Sequence, residues 1–259
     1  MKDLLSQLRH PEASALFVTG AGISVASGIA PFRGSDPGAV WNQDVLEMGT
    51  FRFFQRDPVA QWAWYLSRFS KVRGAVPNAA HLALTELEGR VHDMTIITQN
   101  IDGLHRAAGS RSVVEVHGKA RYIRCSVRGC GQQFNLEGLV PWEDQLFEQF
   151  LAAPSLSTVP RCEECNSILR PHVLWFDESY QDHDDYGMES VVTAANRMTC
   201  LVFVGTSFSV GITEMLYESG VEGEIPIFLI DPVPAPCMIG VTHYAAKAEE
   251  FLPELLRDL

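Results

Sequence analysis

Short apolar runs, separated by long stretches of chain, restrict the fold more than any other feature. They end at Thr19, Thr98, Val116, Val204 and Ile230. The segments between the first and last run are long enough for crossover helices, so the pattern predicts a parallel sheet with helices on both faces. Two stretches break this rhythm. Residues 41–76 are rich in aromatic side chains at helical spacing, and residues 121–170 carry paired cysteines among Gly and Pro. Both read as insertions forming a smaller lobe, and a cleft between lobes is a usual place for a ligand. At 259 residues the chain is long enough to bury a substantial core. The expected division is 1–40, 77–120 and 171–259 for the sheet domain, 41–76 for a helical insertion and 121–170 for a cysteine-bearing insertion.

One polar cluster is placed where such a sheet binds ligands. Met94-Thr95-Ile96-Ile97 reads as a buried strand, and Thr98-Gln99-Asn100-Ile101-Asp102-Gly103-Leu104-His105 follows it directly. Amide, carboxylate and imidazole groups thus gather at a strand's carboxyl end. Asn100 and Asp102 are equally readable as turn residues that satisfy local backbone groups. A second segment narrows the choice. Ala15 to Thr19 reads as a strand, Gly20-Ala21-Gly22-Ile23-Ser24 as a glycine turn, and the chain beyond as a helix start. Glycines at 20 and 22 would let backbone approach a pyrophosphate, whose charge sits well against the amides of a helix N-terminus. The third glycine of the ordinary dehydrogenase fingerprint is missing, and no acidic residue lies on a clear second strand, so that fingerprint fits poorly.

Cys125 and Cys130 enclose four residues, and Cys162 and Cys165 enclose two. Two close thiolate pairs are suited to a tetrahedral zinc site, which helps fold a lobe poor in apolar residues. All four ligands would be protein thiolates, leaving no open position for catalysis, so the metal is expected to be structural. Free or redox-active thiols are the alternative. Cys200 and Cys237 read as unpaired packing residues.

Together these residues closely resemble the sirtuin family of NAD-dependent protein deacylases, over nearly the whole chain. The pattern GAGIS-x-x-SG-x-x-x-FRG occurs as Gly20 to Gly34, and TQNIDGLH as Thr98 to His105. Next, in the right order, come His117-Gly118, the two cysteine pairs, Arg170-Pro171-His172, Trp175-Phe176, Gly205-Thr206-Ser207 and Leu252-Pro253-Glu254-Leu255-Leu256. The resemblance implies a Rossmann-like NAD-binding domain with a smaller lobe formed by the helical and zinc-binding insertions. It implies that NAD is consumed as a cosubstrate. The acyl-lysine carbonyl oxygen attacks the nicotinamide ribose as nicotinamide leaves. His117 advances the resulting alkylimidate by taking a ribose hydroxyl proton, and water completes transfer to give free lysine and acyl-ADP-ribose. An imidazole with an ordinary pKa near 6.5 suits that task, although a histidine at a strand end is otherwise more often structural.

The resemblance also implies a cofactor site. Gly20, Ala21 and Gly22 accommodate phosphate, Ile23, Ser24 and Gly205 complete the cofactor-binding turns, and Thr206 and Ser207 supply hydroxyls. Gln99, Asn100, Ile101 and Asp102 hold the nicotinamide ribose and carboxamide, with Asn100 and Asp102 serving catalysis beside His117. Phe32 and Arg33 belong to a closing loop, with core packing the alternative for Phe32. Ala248 is a further cofactor-site residue, and Asp231 stands where the family commonly has asparagine for the adenosine ribose, a strand-terminating residue before Pro232 being the equal alternative. Gln61 to Arg68 looks helical, placing Tyr65 and Arg68 on one face. Physical reading alone favours an aromatic packing stripe there. Its likeness to sirtuins that remove succinyl and malonyl groups instead implies that Tyr65 and Arg68 hold an acidic acyl tail.

The chain departs from the family at Ala26, at the shifted proline of Ile29-Ala30-Pro31-Phe32, at Asp177 and at Gly211. Asp177 replaces a family glycine, and a positive φ is the expected reason it is tolerated there. The net charge of −12 argues against a phosphate-backbone binder and suits basic, lysine-bearing segments. Met1 to Leu5 reads as an amphipathic helix without a signal peptide's core, and no run reaches the length of a membrane span. A cytoplasmic protein with reduced or metal-bound cysteines is therefore expected. The partners are acylated lysines of proteins, with no direct nucleic acid and no membrane. The expected activity is desuccinylation and demalonylation with weaker deacetylation. An ADP-ribosyltransferase or NAD hydrolase, and a noncatalytic NAD or ADP-ribose binding module, are the alternatives.

Overall fold

The computed structural model describes residues 1–30, 43–127, 129–130, 140–141, 144–208, 210–234 and 239–259. Phe32, Arg33 and Cys237 fall outside them. The first strand, β1 (Ser14–Thr19), follows helix α1 (Lys2–Leu8), whose Leu4, Leu5 and Leu8 are buried as an amphipathic start predicts. Three short helices follow in the first insertion: α2 (Gln43–Met48), α3 (Phe51–Arg56) and α4 (Pro58–Val72). Local sequence sets their starts. Thr50 Oγ1 accepts from Phe53 N at 3.1 Å to open α3, and Asp57 Oδ1 accepts from Ala60 N at 2.9 Å to open α4, with Pro58 just inside. Asn78 caps α5 (Ala79–Glu88), its Oδ1 taking Ala80 N at 2.9 Å.

The chain then forms β2 (Asp93–Thr98), α6 (Leu104–Ala108), β3 (Val113–Glu115) and β4 (Gly118–Cys125). Next come β5 (Val140–Pro141), α7 (Glu148–Ala152), β6 (Leu169–Val173), α8 (Met188–Arg197) and β7 (Cys200–Val204). It ends with α9 (Gly211–Glu222), β8 (Ile227–Ile230), β9 (Val241–Tyr244) and α10 (Ala248–Asp258).

The larger sheet has the order β3-β2-β1-β7-β8-β9, and every pairing in it is parallel. The chain runs outward from β1 in one direction and from β7 in the other, so the switch point lies between them. Alternate side chains face opposite layers. Phe17, Val202 and Val204 meet Leu4, Leu84 and Leu252 on one side. Leu16, Val18, Leu201 and Phe203 meet Val191, Ile212 and Leu216 on the other. Both faces are covered, which is why β1 and β7 read as continuous apolar runs. Cys200 is a packing residue in the first layer, and burial pushes its thiol up to about 12.

The smaller sheet, β5-β4-β6, is antiparallel, and its second strand begins at Gly118. The sequence reading carried the preceding run to Val116, whereas β3 stops at Glu115 and two residues lead into the other sheet. Gly118 is needed at that crossing. Its φ is +85°, and a Cβ would lie 2.3 Å from the His172 carbonyl oxygen. Phe54, Trp62, Tyr65, Leu66 and Phe69 from α3 and α4 pack with Ile123, Phe147, Phe150 and Trp175 to form the lobe's core. Trp62 Nε1 donates to Leu169 O at 2.8 Å, so its buried polar atom is satisfied. Among the described residues, no helix is long and apolar enough to cross a membrane.

Candidate active site at the sheet switch point

At the carboxyl ends of β1 and β7, two glycine turns meet in direct backbone contact. Gly20 N donates to Val204 O at 3.0 Å, Gly22 N to Gly205 O at 2.8 Å, and Gly205 N to Ile230 O at 3.0 Å. A Cβ on Gly22 would lie 2.6 Å from Gly205 Cα, and one on Gly205 would lie 2.5 Å from Ile23 N. These glycines therefore first allow the two turns to pass each other. The expected helix start is a 3-10 turn, Ala21–Ser27, and the amides of Gly20, Gly22 and Ile23 already have backbone acceptors. This corrects the expectation of free helix N-terminal amides. Ile23 is a core residue, and Ala21 is half-buried beside it.

The polar cluster after β2 turns toward this crossing. Asn100 Nδ2 donates to Gly20 O at 3.0 Å and to Ser24 Oγ at 3.1 Å, and Ser24 Oγ donates to Asp102 Oδ2 at 2.7 Å. The other carboxylate oxygen, Oδ1, accepts Leu104 N at 2.9 Å. Burial pushes the Asp102 carboxyl up, opposed by those two donors. Gln99 Nε2 donates to Thr206 Oγ1 at 3.1 Å, joining the turns after β2 and β7. Ile101 contributes its carbonyl, which accepts Ala120 N at 2.8 Å and ties this loop to β4. Asn100 and Asp102 are thus more than local turn residues, since their side chains reach across to the β1 turn.

His117 stands between the two sheets. Its Nδ1 lies 2.8 Å from the Gln99 carbonyl oxygen and its Nε2 lies 3.2 Å from the Tyr180 hydroxyl. A carbonyl only accepts, so Nδ1 carries the proton and Nε2 is the basic nitrogen. Burial pushes the imidazole down to about 4, against the raising effect of the Gln99 carbonyl. The ring is therefore neutral near pH 7 and able to take a proton at Nε2.

Other sequence candidates are spread around this centre. Ser207 is exposed next to Thr206. Asp231 follows β8, where its Oδ1 accepts Val233 N at 2.8 Å, a strand-ending turn. Ala248 opens α10 and is buried in the core beneath. Tyr65 is buried in the small lobe, its hydroxyl 3.3 Å from the Ala120 carbonyl oxygen and its ring stacked on Phe69. Burial pushes its phenol up, so it stays neutral. The Arg68 guanidinium lies over the Trp64 ring at 4.7 Å.

Asp177 does not occupy a positive-φ position; among the described non-glycine residues those are Asn166, Phe208 and Glu224. It caps α3 instead, taking Phe51 N at 2.6 Å and Arg52 N at 3.1 Å. Next to it, buried Arg170 pairs with Glu178 through both terminal guanidinium nitrogens, Nη1 and Nη2, and stacks on Trp175 at 3.6 Å. Tyr180 and the capping role of Asp177 were missed in the sequence, since neither lies in a periodic pattern or a spaced motif.

The sulfurs of Cys125, Cys130, Cys162 and Cys165 all lie within 4.8 Å of one another. Cys125 to Cys165 is 3.5 Å and Cys130 to Cys162 is 3.6 Å. Thiolates about 2.3 Å from a tetrahedral zinc sit about 3.8 Å apart, so the cluster fits that ion.

Such a site defines an α/β enzyme that holds a ligand at its sheet switch point and presents a neutral histidine to it. The Sir2 family profile matches residues 20–211. A Leptospira interrogans "NAD-dependent protein deacylase" is 34% identical over 262 residues, covering 100% of this chain and 98% of that protein. An Archaeoglobus fulgidus "NAD-dependent protein deacylase 1" is 36% identical, covering 93% and 91%. Among solved structures, a Sir2 homolog–NAD complex has a TM-score of 0.79 at 33% identity, covering 100% of this chain and 93% of that one. The chain belongs to the Sir2 family of NAD-dependent protein deacylases and is an enzyme of that class.

Proposed function

We propose that the protein removes acyl groups from protein lysines at the expense of NAD, with succinyl and malonyl preferred over acetyl. The observation that carries the general reading is the Ser24-Asn100-Asp102 network together with His117, which is held through Nδ1 by the Gln99 carbonyl of the same loop and has Nε2 as its basic nitrogen. NAD lies along Gly20, Gly22, Gly205 and Thr206, with its nicotinamide ribose toward Asn100 and Asp102. His117 takes a ribose hydroxyl proton. Solved relatives described as Sir2–p53 peptide–NAD and Sir2 homologue–ADP-ribose complexes support peptide and cofactor entering one cleft. A structural zinc held by the four cysteines shapes the small lobe, and thiols of this kind suit a reducing cytoplasm.

The acidic-acyl preference rests on Tyr65 and Arg68. The Tyr65 hydroxyl is anchored three residues past His117, and Arg68 lies one helical turn further along α4. A terminal carboxylate on the acyl group would gain a charge-assisted contact from Arg68. Incubation with NAD and succinyl- or acetyl-lysine peptide, with products identified by mass, tests both parts. Arg68→Met should lower kcat/KM for succinyl-lysine roughly ten- to hundredfold and leave acetyl-lysine little changed. Equal losses on the two peptides would remove the acidic-acyl preference while leaving the deacylase reading in place.

A further inference from the structure

Tyr180 makes the closest polar contact to the basic nitrogen of His117. Its hydroxyl is 3.2 Å from Nε2, and its ring is stacked on the imidazole with centroids 5.8 Å apart and planes 19° from parallel. With the Nδ1 proton committed to the Gln99 carbonyl, Nε2 has only a lone pair, so the phenol is the donor. The phenol oxygen in turn receives the backbone N–H of Ile212, at the start of α9. The phenol therefore bridges α9 and the imidazole, and its ring packs against the apolar layer that holds Phe208 and Val210.

We propose that Tyr180 is a positioning residue for His117: its hydroxyl holds Nε2 whenever no ribose hydroxyl does, and yields that nitrogen when the cosubstrate enters. The inference rests on His117 being the base. It adds a role for the loop after Glu178, which brings a second group to the basic nitrogen. A hydroxyl donating to a neutral imidazole stabilises the neutral ring, because protonation would remove the acceptor lone pair. Tyr180 thus helps keep the base unprotonated at mildly acid pH, with burial acting in the same direction.

The sign of the expected effect follows. Deacylation needs neutral His117, so kcat/KM falls as pH drops through the pKa of the unliganded enzyme. Tyr180→Phe keeps the ring and deletes the donor, so that acid limb should move upward by about 0.4–1 pH unit, the equivalent of one ordinary hydrogen bond. The nitrogen-15 resonance of His117 Nε2 should move toward the position of an unbonded imidazole nitrogen in the same variant. In the unsubstituted protein, the resonances should report a proton on Nδ1 and an accepting Nε2. An unmoved acid limb, an unmoved Nε2 resonance, or a proton found on Nε2 in the unsubstituted protein would each overturn the proposal. His117→Ala separates the two readings. If that variant keeps its turnover, the base assignment fails, while the resonance comparison still decides whether Tyr180 holds Nε2.

Discussion

On the sheet side of the cleft, the site is made largely of main chain and short polar side chains. Gly20, Gly22 and Gly205 pack backbone to backbone, and Asn100, Ser24 and Asp102 span the gap with contacts of 2.7–3.1 Å. On the small-lobe side, the support is built from bulky side chains, Trp62, Tyr65, Phe69 and Trp175 and the Arg170–Glu178 pair, with four clustered cysteines at the end of β4 away from the cleft. The first construction tolerates almost no added atom. The second depends on groups that converge from distant parts of the chain, so it is lost when an anchor is removed.

Metal removal should give the largest effect and should fall on one wall only. We expect one zinc per chain by elemental analysis. Chelation or Cys162→Ser should unfold the small lobe before the parallel sheet, since structural zinc contributes on the order of 10 kcal/mol to such sites. Protein purified without chelators and found to lack zinc would sink this. Gly205→Ala strikes the other wall. A methyl group at φ +59°, 2.5 Å from Ile23 N, should cost roughly 2–4 kcal/mol of stability in denaturant titration. An unchanged midpoint would mean that the two turns move apart easily. Asp177→Ala is the mildest test. Loss of the α3 cap should cost about 0.5–2 kcal/mol and raise KM for the peptide more than KM for NAD. Equal changes in the two constants would show that the cap does not distinguish the walls.

The contrast also explains what the sequence disclosed. β1, β2, β7 and β8 were visible because a parallel strand covered on both faces must be apolar throughout, and the glycine and amide motifs sit at their ends. β9 was missed for the converse reason. It is an edge strand, and Val241 to Tyr244 is half-buried or exposed, which leaves no apolar run. The small antiparallel sheet was hidden because β4 and β6 carry buried Arg124, Arg170 and His172, whose partners come from elsewhere in the chain. Asp177 was read as a backbone adaptation when it is a side-chain cap for a helix more than a hundred residues earlier. Tyr180 gave no signal, because its partner His117 lies far from it in sequence and only the tertiary fold brings the rings together. Motifs reveal groups that act near their own strand end, and they are silent about groups delivered by packing.

β4 has Gly118 at one end, adjoining the basic imidazole, and Cys125 of the thiol cluster at the other. Both ends are paired with β6, Gly118 opposite Val173 and Ile123 to Cys125 opposite Pro171 to Leu169, and the register shifts between them. The seat of the imidazole and the thiol cluster thus share one strand, and the irregular stretch between Gly118 and Ile123 is where a disturbance at either end would be taken up.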